Sequence, residues 1–135
     1  EHAKALGLNA VQLHGEEDQA YIESLRPLLP VGCAIWKAIG IDGNEPQLCP
    51  SADIQLFDTR TAAQSGGTGQ AFDWQILATQ DKSNLMLAGG ITPDNAKQAA
   101  HQDCLGLDLN SGVESAPGIK DKQKLASAFA AIRQY

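Results

Sequence analysis

The chain has no surplus of positive charge. Ten Lys and Arg stand against 16 Asp and Glu, a formal net charge of −6, and the basic residues are scattered rather than gathered into a stripe. No nucleic acid and no membrane surface is therefore expected as a partner. No apolar run is long enough to cross a bilayer, and no basic and then apolar signal segment opens the chain. Cysteine is scarce and odd in number. Cys33, Cys49 and Cys104 contain no CxxC pair, which reads as free thiols in a reducing compartment, the cytoplasm. The three histidines, His2, His14 and His101, share no metal-ligand spacing, so no zinc site is expected. Neither GxxxxGK[ST] nor GxGxxG occurs, so a nucleotide cradle is not supported. Low-complexity segments and repeats of fixed period are also missing.

What is present is an ordinary globular composition, 43% hydrophobic and 19% charged over 135 residues. That is enough for one domain with a real core. Short apolar runs alternate with helical patterns. "AVQLH" (10–14), "AIWKAI" (34–39), "IQLFD" (54–58), "LMLAGG" (85–90) and "LGLDLN" (105–110) read as strands. Residues 16–29 carry acids first and then Tyr21, Ile22, Leu25, Leu28 and Leu29 at helical spacing. The connection near 45–49 holds at most a short helix. Asp73 can cap a helix over 74–78, and Thr92 with Pro93 reads as an N-cap followed by a first-position proline. An amphipathic helix is expected over about 121–133, and "EHAKALG" reads as the last turns of a helix ending at Gly7.

Strand starts recur every 20 to 30 residues or so, the length of a βα unit. The fold class is α/β with a parallel sheet. Two architectures fit: an open doubly wound sheet, or five units of an eight-unit barrel. Polar residues within the strands lean slightly to the barrel. Gln12 and His14 share one face, Asp108 and Asn110 another, and Lys37 stands mid-strand. An open sheet covered on both sides would have to bury several of them, whereas a barrel can place them near its mouth.

In either architecture ligands bind beyond the C-terminal ends of the strands. His14, Asp58, Gly89, Gly90, Asn110, Ser111 and Gly112 fall there. Asp58 closes "IQLFD". It is either a turn or capping aspartate, or a general acid or base whose pKa is raised by apolar walls. His14 is either a strand-ending histidine bonded to the backbone or a donor to a ligand. "SGGTGQ" (65–70) is a flexible linker or a loop that closes over a substrate. "AGG" and "NSG" supply close backbone approach and helix-start N–H groups, suited to phosphate. None of the cysteines ends a strand, so all three read as structural.

Taken in order, "VQLHG", "IWKAI", "LFDT…GGTGQAFDW", "LAGGITPDN" and "GLDLNSGVESAPGIKD" resemble the phosphoribosylanthranilate isomerases of tryptophan biosynthesis. The resemblance covers essentially the whole chain. It is nearest in wording to the enteric-bacterial form, which is fused behind an indole-glycerol-phosphate synthase domain. It implies a (β/α)8 barrel, a small phosphorylated substrate, an Amadori rearrangement, and neither cofactor nor metal. It makes Asp58 the general acid, places His14 in the site, and gives Gly89, Gly90, Ser111 and Gly112 to the phosphate. The family's base, a cysteine in a Cys-Gly pair ending the first strand, and the following arginine have no counterpart here. The expectation is therefore a partial barrel, strands four to eight over 1–135, inactive alone and marginally stable because two strand edges would stand open. Two rivals remain: another phosphate-binding barrel, and a non-catalytic flavodoxin-like or receiver-like binding module.

Overall fold

The computed structural model describes residues 2–61, 64–65 and 71–133. After a short helix α1 (His2–Ala5), three long connections separate the first strands β1 (Ala10–Leu13), β2 (Ala34–Ile41), β3 (Ile54–Thr61) and, further on, β5 (Leu85–Leu87). The two-residue strand β4 (Gln64–Ser65) folds back antiparallel on the end of β3. β6 (Gly106–Leu107) completes the main sheet, and a hairpin of β7 (Glu114–Ala116) and β8 (Ile119–Lys120) follows it. Three further helices, α2 (Gln19–Leu25), α3 (Ala96–Ala100) and α4 (Lys122–Arg133), lie between and after the strands.

The main sheet runs β1-β2-β3-β5-β6, with each neighbouring pair parallel. Strand order thus follows chain order. Right-handed crossovers that always step the same way place their helices on one side of the sheet. A doubly wound sheet reverses direction at a switch point, and none occurs among the described strands. The strand order therefore selects the partial barrel over the open sheet and removes the flavodoxin-like or receiver-like alternative.

The register separates the two faces. Val11, Leu13, Ile35, Ile39, Phe57, Leu85 and Leu87 point to the helices. There Ile35 packs with Ile22 of α2, and Phe57, Leu85 and Leu87 pack with Leu77, Ala96, Ala99 and Ala128. The opposite face carries Trp36, Ala38, Leu56, Met86 and Ala88, the interior of the barrel. Among the described residues β1 and β6 each pair on one side only.

Local chemistry explains where elements begin and stop. Leu8 N–H donates to Ala3 C=O at 3.0 Å and Gly7 N–H to Lys4 C=O at 3.3 Å, while Gly7 takes φ 61°. This pair of bonds closes α1 with a left-handed glycine, as its sequence suggests. The helix expected over 16–29 begins only at Gln19. Asp18 is its cap, accepting from Tyr21 N–H at 2.8 Å, and Pro27 turns its end into a 3-10 segment, Arg26–Leu28. Asp73 does cap, accepting from Gln75 N–H at 3.0 Å, but the segment it starts, Trp74–Thr79, is 3-10.

Three expectations need correction. The fourth main strand ends at Leu87 rather than running to 90, because Gly89 and Gly90 adopt φ 79° and 64°, and left-handed residues cannot continue a ladder. β6 is shorter than 105–110, although Leu105 and Asp108 still donate to Leu85 and Leu87 C=O, both at 2.8 Å. The regular helix expected from Thr92 starts at Ala96 with Asn95 as its cap. Thr92 contributes its carbonyl, which accepts from Ala96 N–H at 2.9 Å, rather than its hydroxyl.

One buried polar side chain secures the β2–β3 connection. Gln55 is 4% exposed, donates to Cys49 C=O at 2.7 Å and accepts from Cys49 N–H at 3.2 Å. Gln55→Leu strands both backbone groups of a buried residue. The expected loss is on the order of 2–3 kcal/mol, readable as a lower urea midpoint of the full-length protein. An unchanged midpoint would show that water replaces the amide freely.

Candidate active site

The C-terminal ends of the parallel strands converge on one mouth. Asp58 stands on the interior face of β3, opposite Gly40 of β2 in the register. Gly40 is exposed and has no side chain, so space stays open beside the carboxylate. Asp58 itself is half-buried. Burial pushes its pKa above the ordinary 3.8. The Thr59 N–H and the His14 ring act against that rise, and the Asp108 carboxylate adds to it. His14 and Asp108 are thus each brought within electrostatic reach of Asp58, from just beyond β1 and β6. A carboxyl whose ionised form burial disfavours, at the rim of a barrel, is suited to donating a proton.

Asp108 is the residue that sequence reasoning left off its site. The signal was visible in "LGLDLN", where Asp108 shares an inward face with Asn110, but nothing in the sequence tied that face to Asp58. Lys37 behaves in the opposite way. Grouped by sequence with the inward polar residues, it lies instead on the helix-facing side with Ile35 and Ile39. Its ammonium turns up toward the β1 end and donates to Gly15 C=O at 2.6 Å.

Two glycine turns form the other side of the mouth. A Cβ on Gly89 would lie 2.4 Å from Thr59 N and 2.6 Å from Asp58 Oδ1. The turn after β5 therefore crosses directly against the acid, and only glycine permits it. Asn95 fastens this turn, donating to Gly90 C=O at 2.9 Å and accepting from Thr92 N–H at 2.8 Å. Ser111, Gly112 and Val113 form a single 3-10 turn after β6. Gly112 presses on the first turn, with a Cβ position 1.9 Å from Ile91 O. Lys120 ties the start of the second turn, donating to Asn110 C=O at 3.0 Å, to Asn110 Oδ1 and to Glu114 at 2.7 Å.

A separate cavity of about 540 Å³ lies beside Gly15 and Lys37, and Glu16, Glu17, Asp18, Asp42 and Glu45 line it. That field repels a phosphate. The cysteines stand away from the strand ends: Cys33 before β2, Cys49 in a connection, Cys104 before β6. No group of three or more His, Cys, Asp and Glu among the described residues could hold a metal ion. No helix among them is long and apolar enough to cross a membrane. The glycine-rich run 66–70, expected as a loop over Asp58, lies outside the described residues.

Comparison with known proteins follows the same lines. Residues 1–131 match the family model of N-(5'phosphoribosyl)anthranilate (PRA) isomerase. The tryptophan biosynthesis protein TrpCF of Vibrio parahaemolyticus is 57% identical over 132 residues. The match takes in 97% of this chain but 27% of that protein, so the chain spans little more than a quarter of its relative's length. The crystal structure of phosphoribosyl anthranilate isomerase from Thermus thermophilus superposes with a TM-score of 0.75 at 32% identity, covering 97% of this chain and 64% of the other. A phosphoribosyl anthranilate isomerase crystallised with reduced 1-(o-carboxyphenylamino)-1-deoxyribulose 5-phosphate gives 0.68 at 26% identity, covering 98% and 63%.

Proposed function

The chain belongs to the N-(5'-phosphoribosyl)anthranilate isomerase family, and from that premise we propose that it forms five of the eight βα units of the isomerase barrel in a cytoplasmic enzyme of tryptophan biosynthesis. The reaction is the rearrangement of N-(5-phosphoribosyl)anthranilate to 1-(2-carboxyphenylamino)-1-deoxyribulose 5-phosphate. The observation that carries this reading is Asp58: a half-buried carboxyl with a raised pKa at a barrel mouth, crossed by a glycine turn fit for an anion.

The roles follow from the chemistry. Asp58 gives its proton to the ribose ring oxygen as the C1–O bond breaks and the nitrogen lone pair forms the iminium. A base then takes the C2 proton, and the resulting enolamine reprotonates to the keto product, so the atoms of substrate and product are the same. His14 lines the site close to Asp58. Gly89, Gly90, Ser111 and Gly112 hold the phosphate with main-chain N–H groups, aided by the positive end of a helical turn. The cysteine base that the family resemblance implies has no counterpart among Cys33, Cys49 and Cys104, so the proposal assigns the base to further βα units of the barrel. The length not matched in TrpCF has room for those units and for a fused indole-glycerol-phosphate synthase domain.

The test is turnover of N-(5-phosphoribosyl)anthranilate by the full-length protein, alongside the 135-residue chain alone. The full-length protein is expected to isomerise it. The chain alone is expected to show at least a hundredfold less activity, on the order of the loss for one missing acid–base group, and to associate or aggregate through its open strand edges. Full activity and a sharp, reversible, monomeric melt from the 135 residues alone would overturn the partial-barrel reading. No turnover by the full-length protein would overturn the assigned reaction.

A further inference from the structure

The imidazole of His14 has no hydrogen bond of its own among the described residues, yet it must hold a position beside Asp58. What fixes it is the main chain behind it. Gly15 N–H, which belongs to the His14–Gly15 peptide, donates to Glu17 Oε2 at 2.8 Å. Gly15 C=O accepts from Lys37 Nζ at 2.6 Å. Lys37 Nζ lies 3.1 Å from the same Glu17 Oε2. The three contacts close a ring that grips the peptide units on both sides of Gly15.

The ring's members are unusual for a turn. Lys37 is a lysine side chain only 9% exposed, on the helix-facing side of a parallel strand, and Glu17 is 26% exposed. Burying an ammonium is costly unless it is paired and hydrogen-bonded. Here both conditions are met, by a carboxylate and by a backbone carbonyl. Charge-assisted bonds of this kind are also the stronger and shorter class. Burial acts to raise the Glu17 pKa, but its own N–H, the Gly15 N–H and Lys37 together hold it below the ordinary glutamate range. A plain glycine turn after β1 would need none of this. An apolar residue at position 37 would match its neighbours Ile35 and Ile39.

We propose that Lys37 and Glu17 are positioning residues of the active site, forming a clamp that sets the His14 backbone and through it the placement of the imidazole against Asp58 and the substrate. Neither residue touches the reacting atoms. The inference rests on the isomerase reading for its kinetic consequence, but the placement of His14 can be read without activity. A small misplacement of a group at a reacting centre can lower a rate by up to about a hundredfold.

The experiment uses the full-length protein with Glu17→Gln, Lys37→Met and Lys37→Arg, and Lys97→Met as a control on the distant helix α3. Two readouts are taken: the positions and widths of the His14 ring resonances at neutral pH, and kcat and KM separately. Lys37→Met is expected to shift and broaden the His14 signals and to lower kcat about tenfold or more, with KM changed less than about threefold. Glu17→Gln should do the same more weakly, Lys37→Arg should recover part of kcat, and Lys97→Met should leave everything unchanged. If Lys37→Met fails to fold, the Glu17→Gln result decides. Variants that lower the melting temperature while leaving the His14 resonances and kcat at wild-type values would overturn the clamp and leave an ordinary buried ion pair. Absence of wild-type turnover would overturn the isomerase reading alone, because the His14 resonances would still report on the clamp.

Discussion

Asp58→Asn is expected to remove turnover while making the protein more stable at neutral pH. The amide cannot donate a proton to the ribose ring oxygen, and loss of a positioned acid lowers kcat by about a hundredfold to ten-thousandfold. The stability effect has its own sign. Burial raises the folded-state pKa of Asp58 above its ordinary 3.8. A raised pKa means that the group favours folding at low pH, and that this contribution is lost as pH rises through the folded-state value. At pH 7 the surroundings of Asp58, burial first and the Asp108 carboxylate with it, therefore work against its ionised form. Asparagine escapes that cost. The urea midpoint of the full-length variant should exceed the wild type at pH 7, with the gap closing as pH falls below the ordinary carboxylate value. Loss of activity together with loss of stability at pH 7 would instead mark Asp58 as a capping or turn group, the duller of its two readings.

How far the sequence revealed this site depends on the kind of information each residue carries. The βα alternation, the helix ends at Gly7 and the cap at Asp73 are local, and they could be read because a few neighbouring residues decide them. The choice between barrel and open sheet is not local. It turns on whether successive crossovers keep one direction, and polar strand residues spoke to that only weakly. Lys37 shows why. Its alternation with Ile35 and Ile39 places it on the helix side, yet a lysine there looks out of place until Gly15 and Glu17 come into reach from another turn. Asp108 was missed for the same reason, since its importance lies in its distance from Asp58 on a different strand. The early end of β5 was legible in principle. Two successive glycines after an apolar run are more consistent with a left-handed turn than with continued strand, and the run to position 90 overrode that signal.

The largest stability effect is expected from Gly112→Ala. A Cβ at this position would sit 1.9 Å from Ile91 O, 2.7 Å from Ile91 C and 3.1 Å from Thr92 Cγ2. The first two are backbone atoms, so no rotamer change relieves the contact. Nor can the 90–92 turn simply retreat, because Asn95 holds it through Gly90 C=O and Thr92 N–H. The neighbours on both sides are core residues: Ile91 is 2% exposed and Val113 fully buried, both in the cluster under α4. Added volume must therefore push one turn off the other and loosen that packing, with an expected loss of about 3 kcal/mol or more. The same displacement would separate the two turns assigned to the phosphate, so any folded fraction should also show a raised KM. Gly118→Ala provides the contrast. Gly118 has φ 78° but nothing within 4 Å of its Cβ position, so only the left-handed backbone penalty of about 1–2 kcal/mol applies. Urea midpoints of the two full-length variants separate the explanations. If Gly112→Ala were no worse than Gly118→Ala, the two turns would have room to part without loss of packing, since Gly112 itself has no left-handed φ. A clear excess at position 112 would mean that the hydrogen in place of a side chain is what lets the two turns close into one binding surface.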